Sequence, residues 1–193
     1  MVYSVDSNDC EKYNLQEYQT LYSIDQNMRG ISIIRDLYFC GASKDRCTTL
    51  IQIAEKAKEY GVLCSMDIVG GANIDNNLTN SIGVHFLEQG QNLDYLTVLK
   101  NELQAKCILE VCQKGQAALT LRPYEAVAYN RKLLSNNRTI LDYKYYDKRY
   151  MRYFEKTEDI DWEWVKSECS VNYGYKGEFS PLGLISDMSN RLR

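Results

Sequence analysis

DLYFCGASKDRCTTLIQIAEKAKEYG, residues 36–61, decides the fold. Its first six residues form a short apolar run ending at Gly41, and runs of this length rich in aliphatic and aromatic side chains read as a buried strand. From Cys47 onward the apolar residues recur at helical spacing, with Cys47, Leu50, Ile51, Ala54 and Ala57 on one side of a 3.6-residue period. Ser43 stands at a natural N-cap, and Gly61 stands where a helix commonly ends in the left-handed region. The unit is strand, turn, helix.

The same unit recurs along the chain. LCSMDIVG (63–70) reads as a strand, GANIDNNLTN (71–80) as a loop, and SIGVHFLE (81–88) as an alternating strand with His85 on its polar side. Leu93, Leu96, Leu99 and Leu103 line one side of a helix, which runs into the strand KCILEVC (106–112). A helix over 119–130 then leads to the strand KLLSN (132–136). Strands separated by helices predict crossover connections and an α/β fold. The expected form is a doubly wound, mostly parallel Rossmann-like sheet with helices on both faces. Beyond it come a tyrosine-rich connection, a short strand around MRYF (151–154), an acidic helix over 159–169 and a terminal helix near 182–193. The expected division is a lead-in segment or linker remnant over 1–30, a Rossmann-like domain over 31–170 and a C-terminal helical appendage over 171–193.

The totals narrow the function. A length of 193 residues, 45% of them hydrophobic, suits one full-sized domain. The formal net charge of -3 offers no basic field to hold a phosphate polymer, which disfavours nucleic acid as a partner. No apolar stretch approaches the ~20 residues of a transmembrane segment, and the N-terminus lacks the pattern of a secretory signal, so a cytoplasmic chain is expected. Seven cysteines with no CxxC pair and a single histidine predict reduced thiols and no metal site. The 16 tyrosines, several of them clustered at 143–153, read as a half-buried aromatic face. Hydrolase and P-loop signatures are absent from the sequence, and so is a strict GxGxxG.

Two turns fall where an open parallel sheet binds ligands, at strand carboxyl ends beside helix N-termini. In the first, Gly41 leaves room for a ligand while Lys44 or Arg46 could pair with a phosphate. The alternative is a plain turn with solvated cations. The second is GQAALTLRPYEAV, 115–127. Gly115, Gln116, Ala117 and Ala118 open it, Thr120 can cap or donate its hydroxyl, and Arg122 offers a fork matched to phosphate oxygens. Pro123 lies in the first helical turn, where its missing N–H costs nothing. Glu125 would reach the vicinal hydroxyls of a ribose, or would simply pair with Arg122. On the residues alone both readings stand open.

ILEVCQKGQAALTLRPYEAVAYNRKLLSNNRTILDYKYYD (108–147) resembles the C-terminal half of a group of bacterial glycosyltransferases from lipopolysaccharide and capsule gene clusters. There, a strand runs into a GQ-G-LT-R turn, a helix beginning Glu-Ala, a strand ending Thr-Asn and a tyrosine-bearing segment. DLYFCGASKDRCTTLIQIAEKA looks like the matching earlier element. Ala118 replaces a glycine usual in the group, and Ser135-Asn136-Asn137 stands where Thr-Asn is common.

The resemblance implies one half of a GT-B enzyme, metal-independent, holding a nucleotide-sugar donor for transfer to a saccharide or lipid-linked acceptor. In that reading Glu125 takes the ribose hydroxyls, and Thr120 and Arg122 lie at the diphosphate with help from the 41–46 turn. The catalytic base stays unassigned. Members of the group carry an acceptor domain ahead of this half, whereas Met1 here begins almost at the linker. The expectation is a donor domain that transfers nothing alone and acts with a separate N-terminal half or by self-association, in the cytoplasm or at the inner face of the membrane. The other reading is a non-catalytic α/β interaction module of the same descent.

Overall fold

A computed structural model describes residues 2–4, 7–18, 20–70, 76–88, 91, 93–116 and 118–191. Two-residue strands β1 (Tyr3–Ser4) and β2 (Gln16–Glu17) pair with each other around helix α1 (Ser7–Tyr13). The main sheet has six strands, all parallel: β3 (Arg35–Ala42), β4 (Cys64–Val69), β5 (Val84–Leu87), β6 (Ala105–Glu110), β7 (Lys132–Ser135) and β8 (Met151–Tyr153). Their spatial order is β5-β4-β3-β6-β7-β8. That is the 3-2-1-4-5-6 order of a doubly wound Rossmann-like fold. Between the strands run α2 (Cys47–Glu59), α3 (Asn76–Ser81), α4 (Tyr95–Leu103) and α5 (Leu121–Tyr129), and after them come α6 (Trp162–Lys166) and α7 (Pro181–Arg191). Among the described residues no helix is long and apolar enough to cross a membrane.

Alternation along each strand feeds two cores. Leu37, Phe39, Cys107, Leu109 and Leu134 point to one face, where Leu50, Ile53, Ala54 and Ala57 of α2 and Trp162 and Val165 of α6 meet them. Ile108 and Leu133 point to the other, against Tyr124 and Ala126–Ala128 of α5. The clustered tyrosines lie in this second core as edge-to-face pairs, Tyr124 with Tyr143 and Tyr143 with Tyr145 among them. The outer segments join it too: Tyr22 packs edge-on to Tyr129, and Phe179 packs against Tyr124 and Tyr175. Among the described residues of 171–193 only Pro181–Arg191 is helical; ahead of it Tyr173, Tyr175 and Phe179 pack onto the second core.

Several local expectations change. Gly61 does end α2 at φ +66, but Ser43 makes no cap bond. Instead a 3-10 turn, Lys44–Arg46, precedes α2, with Lys44 itself at φ +41. Leu96 is 49% exposed, since α4 turns Val98, Leu99, Glu102 and Leu103 inward. The acidic helix shrinks to Trp162–Lys166. Ser81 belongs to α3, and His85 lies exposed beside Asn80 (3.2 Å). The seven cysteines form no disulfide among the described residues; Cys64 and Cys107 are buried, and burial pushes both thiols up to about 12.

Lys132, the first residue of β7, is buried beneath α6. Its Nζ donates to the carbonyls of Trp164 (2.6 Å), Val165 (2.9 Å) and Ser167 (2.6 Å). A cation suits the negative end of that short helix, although burial lowers its pKa. Lys132→Met removes the donor and leaves three carbonyls turned to an apolar methyl. The expected loss of stability is about 2–3 kcal/mol, read from the urea midpoint. An unchanged midpoint would show that water satisfies those carbonyls.

Candidate functional site

The strand order places a crevice between β3 and β6, because the connection leaving β3 turns one way to β4 and that leaving β6 turns the other way to β7. Ligands of open parallel sheets bind at such a switch point, outside the carboxyl ends of the strands. A cavity of about 460 Å³ lies there, lined by Gly41, Arg46, Glu110, Thr120 and Arg122. Its walls are largely apolar, contributed by Phe39, Leu93, Val98 and Leu121. Two larger hollows, of about 730 and 760 Å³, open at the opposite edge beside the amino ends of the strands. Size alone would favour those, but the helix N-termini that attract anions converge on the crevice.

The two turns singled out from the sequence are neighbours and hold each other. The Lys114 N–H donates to Asp45 Oδ2 (2.9 Å), and the Arg46 guanidinium donates to the carbonyls of Val111 (2.5 Å) and Ala42. Arg46 also lies over the Phe39 ring, 5.4 Å from its centroid, with its Nε buried and unpaired. A Cβ at Gly41 would stand 3.2 Å from Phe39 and 3.3 Å from Arg46 Nη2, so glycine keeps this approach open. Lys44 is exposed at the tip. Gly115, at φ +82, and Gln116, bonded back to Gln113, form a tight turn at the outer end of the second loop. Ala117 lies outside the described residues. Of the eight residues proposed from sequence, Gly41, Arg46, Thr120 and Arg122 line the cavity; Lys44, Gly115, Gln116 and Glu125 do not.

Thr120 fills both roles open to it. It N-caps α5, its hydroxyl oxygen accepting from the Arg122 N–H at 3.2 Å, while the same hydroxyl donates to Glu110 Oε1. Glu110 ends β6 almost wholly buried, with Ser135 donating to its other oxygen. Burial raises its pKa, and the two hydroxyls pull against that rise.

Glu125 is fully buried, and its carboxylate does not face the cavity. Arg122 Nη1 donates to Glu125 Oε2 at 2.7 Å and lies 2.5 Å from Glu102 Oε1. Arg122 Nη2 reaches the Cys40 carbonyl at 3.2 Å, pinning the guanidinium to the end of β3. The Tyr95 hydroxyl donates to Glu125 Oε1 (3.0 Å) and lies 2.8 Å from the Tyr22 hydroxyl. The expectation of a carboxylate offered to a ribose is therefore corrected: Glu125 is the partner of Arg122. Burial followed by the Glu125 carboxylate raises the Tyr95 pKa.

Glu102, on α4, completes the group and was hidden in the sequence. It is 0% exposed, and the short approach of Arg122 is a charge contact, since neither Glu102 oxygen has a partner in hydrogen-bond geometry. Burial raises its pKa well above the usual carboxylate range; Arg122 opposes that and Glu125 adds to it. Burial likewise opposes the charge on Arg122, but the two carboxylates overcome it and raise its pKa. Two carboxylates thus share one guanidinium, and burial and the second carboxylate both favour the protonated form of Glu102.

Chemically, the crevice offers apolar walls for a flat ring and a floor whose cations are already oriented. Neither protein-family models nor curated protein sequences give a match to this chain.

Proposed function

We propose that the chain is the donor half of a glycosyltransferase, holding a nucleotide-sugar in the crevice between β3 and β6 for transfer to a saccharide or lipid-linked acceptor in cell-surface polysaccharide synthesis. The observation that carries this is the meeting of the 41–46 and 111–122 turns at the switch point, with Arg46 and Arg122 beneath an apolar slot. The base lies against Phe39, Leu93 and Val98, and the diphosphate lies toward Arg122 and the N-terminus of α5. Glu125 acts through Arg122 as a positioning residue. Acceptor and acid-base groups come from another domain or subunit.

Calorimetry with UDP, GDP, CMP and ADP tests the reading. Because Arg122 and Glu125 are buried together, their alanine variants would confuse binding with stability. Leu121 is better: it is 41% exposed at the mouth. Leu121→Glu sets a carboxylate beside the phosphates and is expected to weaken the preferred nucleotide by about tenfold, roughly 1.4 kcal/mol, with an unchanged thermal midpoint. If no nucleotide binds into the millimolar range, the reading passes to the interaction module. One observation favours that alternative: the Arg122 guanidinium is already held by Glu125 and the Cys40 carbonyl without a ligand.

A further inference from the structure

The 730 Å³ hollow at the opposite edge of the sheet has a chemistry of its own. Three cations line it, Arg29, Arg131 and Lys176, and no Asp or Glu does among its described lining residues. None of the three enters an ion pair among the described residues. Arg29 and Lys176 are exposed at the rim. Arg131 lies deeper, its Nε and Nη2 donating to the Leu103 carbonyl (3.1 and 2.8 Å) and Nη2 also to that of Ile31 (3.4 Å). These bonds fix the guanidinium rigidly while leaving Nη1 only a long contact of 3.5 Å to Asn130 O. Burial alone lowers the Arg131 pKa, with no carboxylate acting on it.

Two acids flank the hollow, and both accept from backbone N–H groups. Asp25 Oδ1 accepts from the Asn27 N–H (2.9 Å), and Glu178 Oε2 accepts from the Lys176 N–H (2.7 Å). A partly buried guanidinium without a counter-charge is a costly arrangement unless an anion completes it. The surroundings also fit a ligand, since the rings of Tyr22, Tyr129 and Tyr175 form apolar walls and Gly30 and Gly177, at φ +73 and +103, keep side chains out of the mouth.

We infer that this hollow is a second binding site, for a phosphate-bearing anion, in which Arg131 is the fixed anchor and Arg29 and Lys176 close over the ligand from the two flanking segments. Guanidinium and ammonium groups converging from separate segments match the several oxygens of a phosphate better than a single carboxylate. The site lies beside the amino ends of β6 and β7, away from the crevice, and does not depend on the glycosyltransferase reading. A soluble phosphate ester and a phospholipid headgroup share the required chemistry.

Inorganic pyrophosphate, read by calorimetry and hydrogen exchange on the intact chain, separates the outcomes. Binding that protects residues 128–131 and 174–180 and weakens with salt is expected. The exposed double substitution Arg29→Ala with Lys176→Ala should weaken it by about tenfold or more at an unchanged thermal midpoint. A parallel arm sediments the protein with phosphatidylglycerol vesicles. Sedimentation abolished by the same double substitution would support the site with a lipid headgroup as its source; pyrophosphate binding without sedimentation would support a soluble ligand. Absence of both, protection confined to 110–122, or indifference to the double substitution would overturn the inference.

Discussion

Arg122→Met is expected to lower the unfolding free energy by about 3–5 kcal/mol at neutral pH, a large share of the 5–15 kcal/mol typical of a domain. The side chain it removes is, among the described residues, the one cation paired with two fully buried carboxylates, Glu102 and Glu125. Without it, one or both must take up a proton to remain inside, so the deficit should shrink as the pH falls. A second substitution checks the cause. Glu102 has its folded pKa raised above its unfolded value, so whatever stability it contributes is fully present below about pH 4.3 and is lost as the pH rises through the folded value. Glu102→Gln cancels that loss and should be neutral or stabilising near neutral pH, with a flatter dependence on pH than the native chain. Urea titrations of both variants at about pH 5 and about pH 8 decide it. If Glu102→Gln costs as much as Arg122→Met, the two carboxylates are not in competition for the guanidinium and the charge account is wrong.

That buried trio also marks the boundary of what the sequence discloses. Residues 36–61 carry their own instructions: an apolar run, a turn, a 3.6-residue period and a terminal glycine that the backbone uses at φ +66. Local rules acting within a few residues suffice there, and they suffice for Thr120 and Pro123 at the start of α5. Glu125 was legible as one of two alternatives, and the bland one holds, because a first-turn arginine three residues before a glutamate is within its reach. Glu102 was not legible. It belongs to α4, whose stripe reads most simply as Leu93, Leu96, Leu99 and Leu103, yet Tyr95, Leu99 and Glu102 also follow helical spacing. Choosing between those faces requires knowing that Arg122 waits on the next helix. Ser43 failed for a different reason: at the start of the 3-10 turn its own backbone is helical, φ -61 and ψ -55, not the extended form usual at a cap, and its side chain makes no cap bond. The cations Arg29, Arg131 and Lys176 lie far apart in the sequence, 102 and 45 positions from one to the next, and no local pattern joins them.

Gly83→Ala is expected to be the most damaging of the small substitutions, because two independent constraints meet at one position. The backbone there has φ +77, a conformation that costs a residue with a Cβ about 1–2 kcal/mol. In addition, a Cβ would overlap the Cys64 carbonyl oxygen and stand 3.1 Å from its carbon. Those atoms belong to the backbone of β4 and cannot swing aside. The Gly83 carbonyl accepts from the Met66 N–H at 2.8 Å, so relieving the overlap means breaking the pairing by which β5 joins β4. Strain and lost pairing together should exceed about 3 kcal/mol. Gly61→Ala is the control: it has φ +66 but open space around the added methyl, and should cost only about 1 kcal/mol. Urea midpoints of the two variants, measured side by side, separate backbone conformation from crowding. If they fall equally, the turn into β5 yields more readily than its contacts imply. If Gly83→Ala alone collapses, attachment of the edge strand rests on a residue with no side chain.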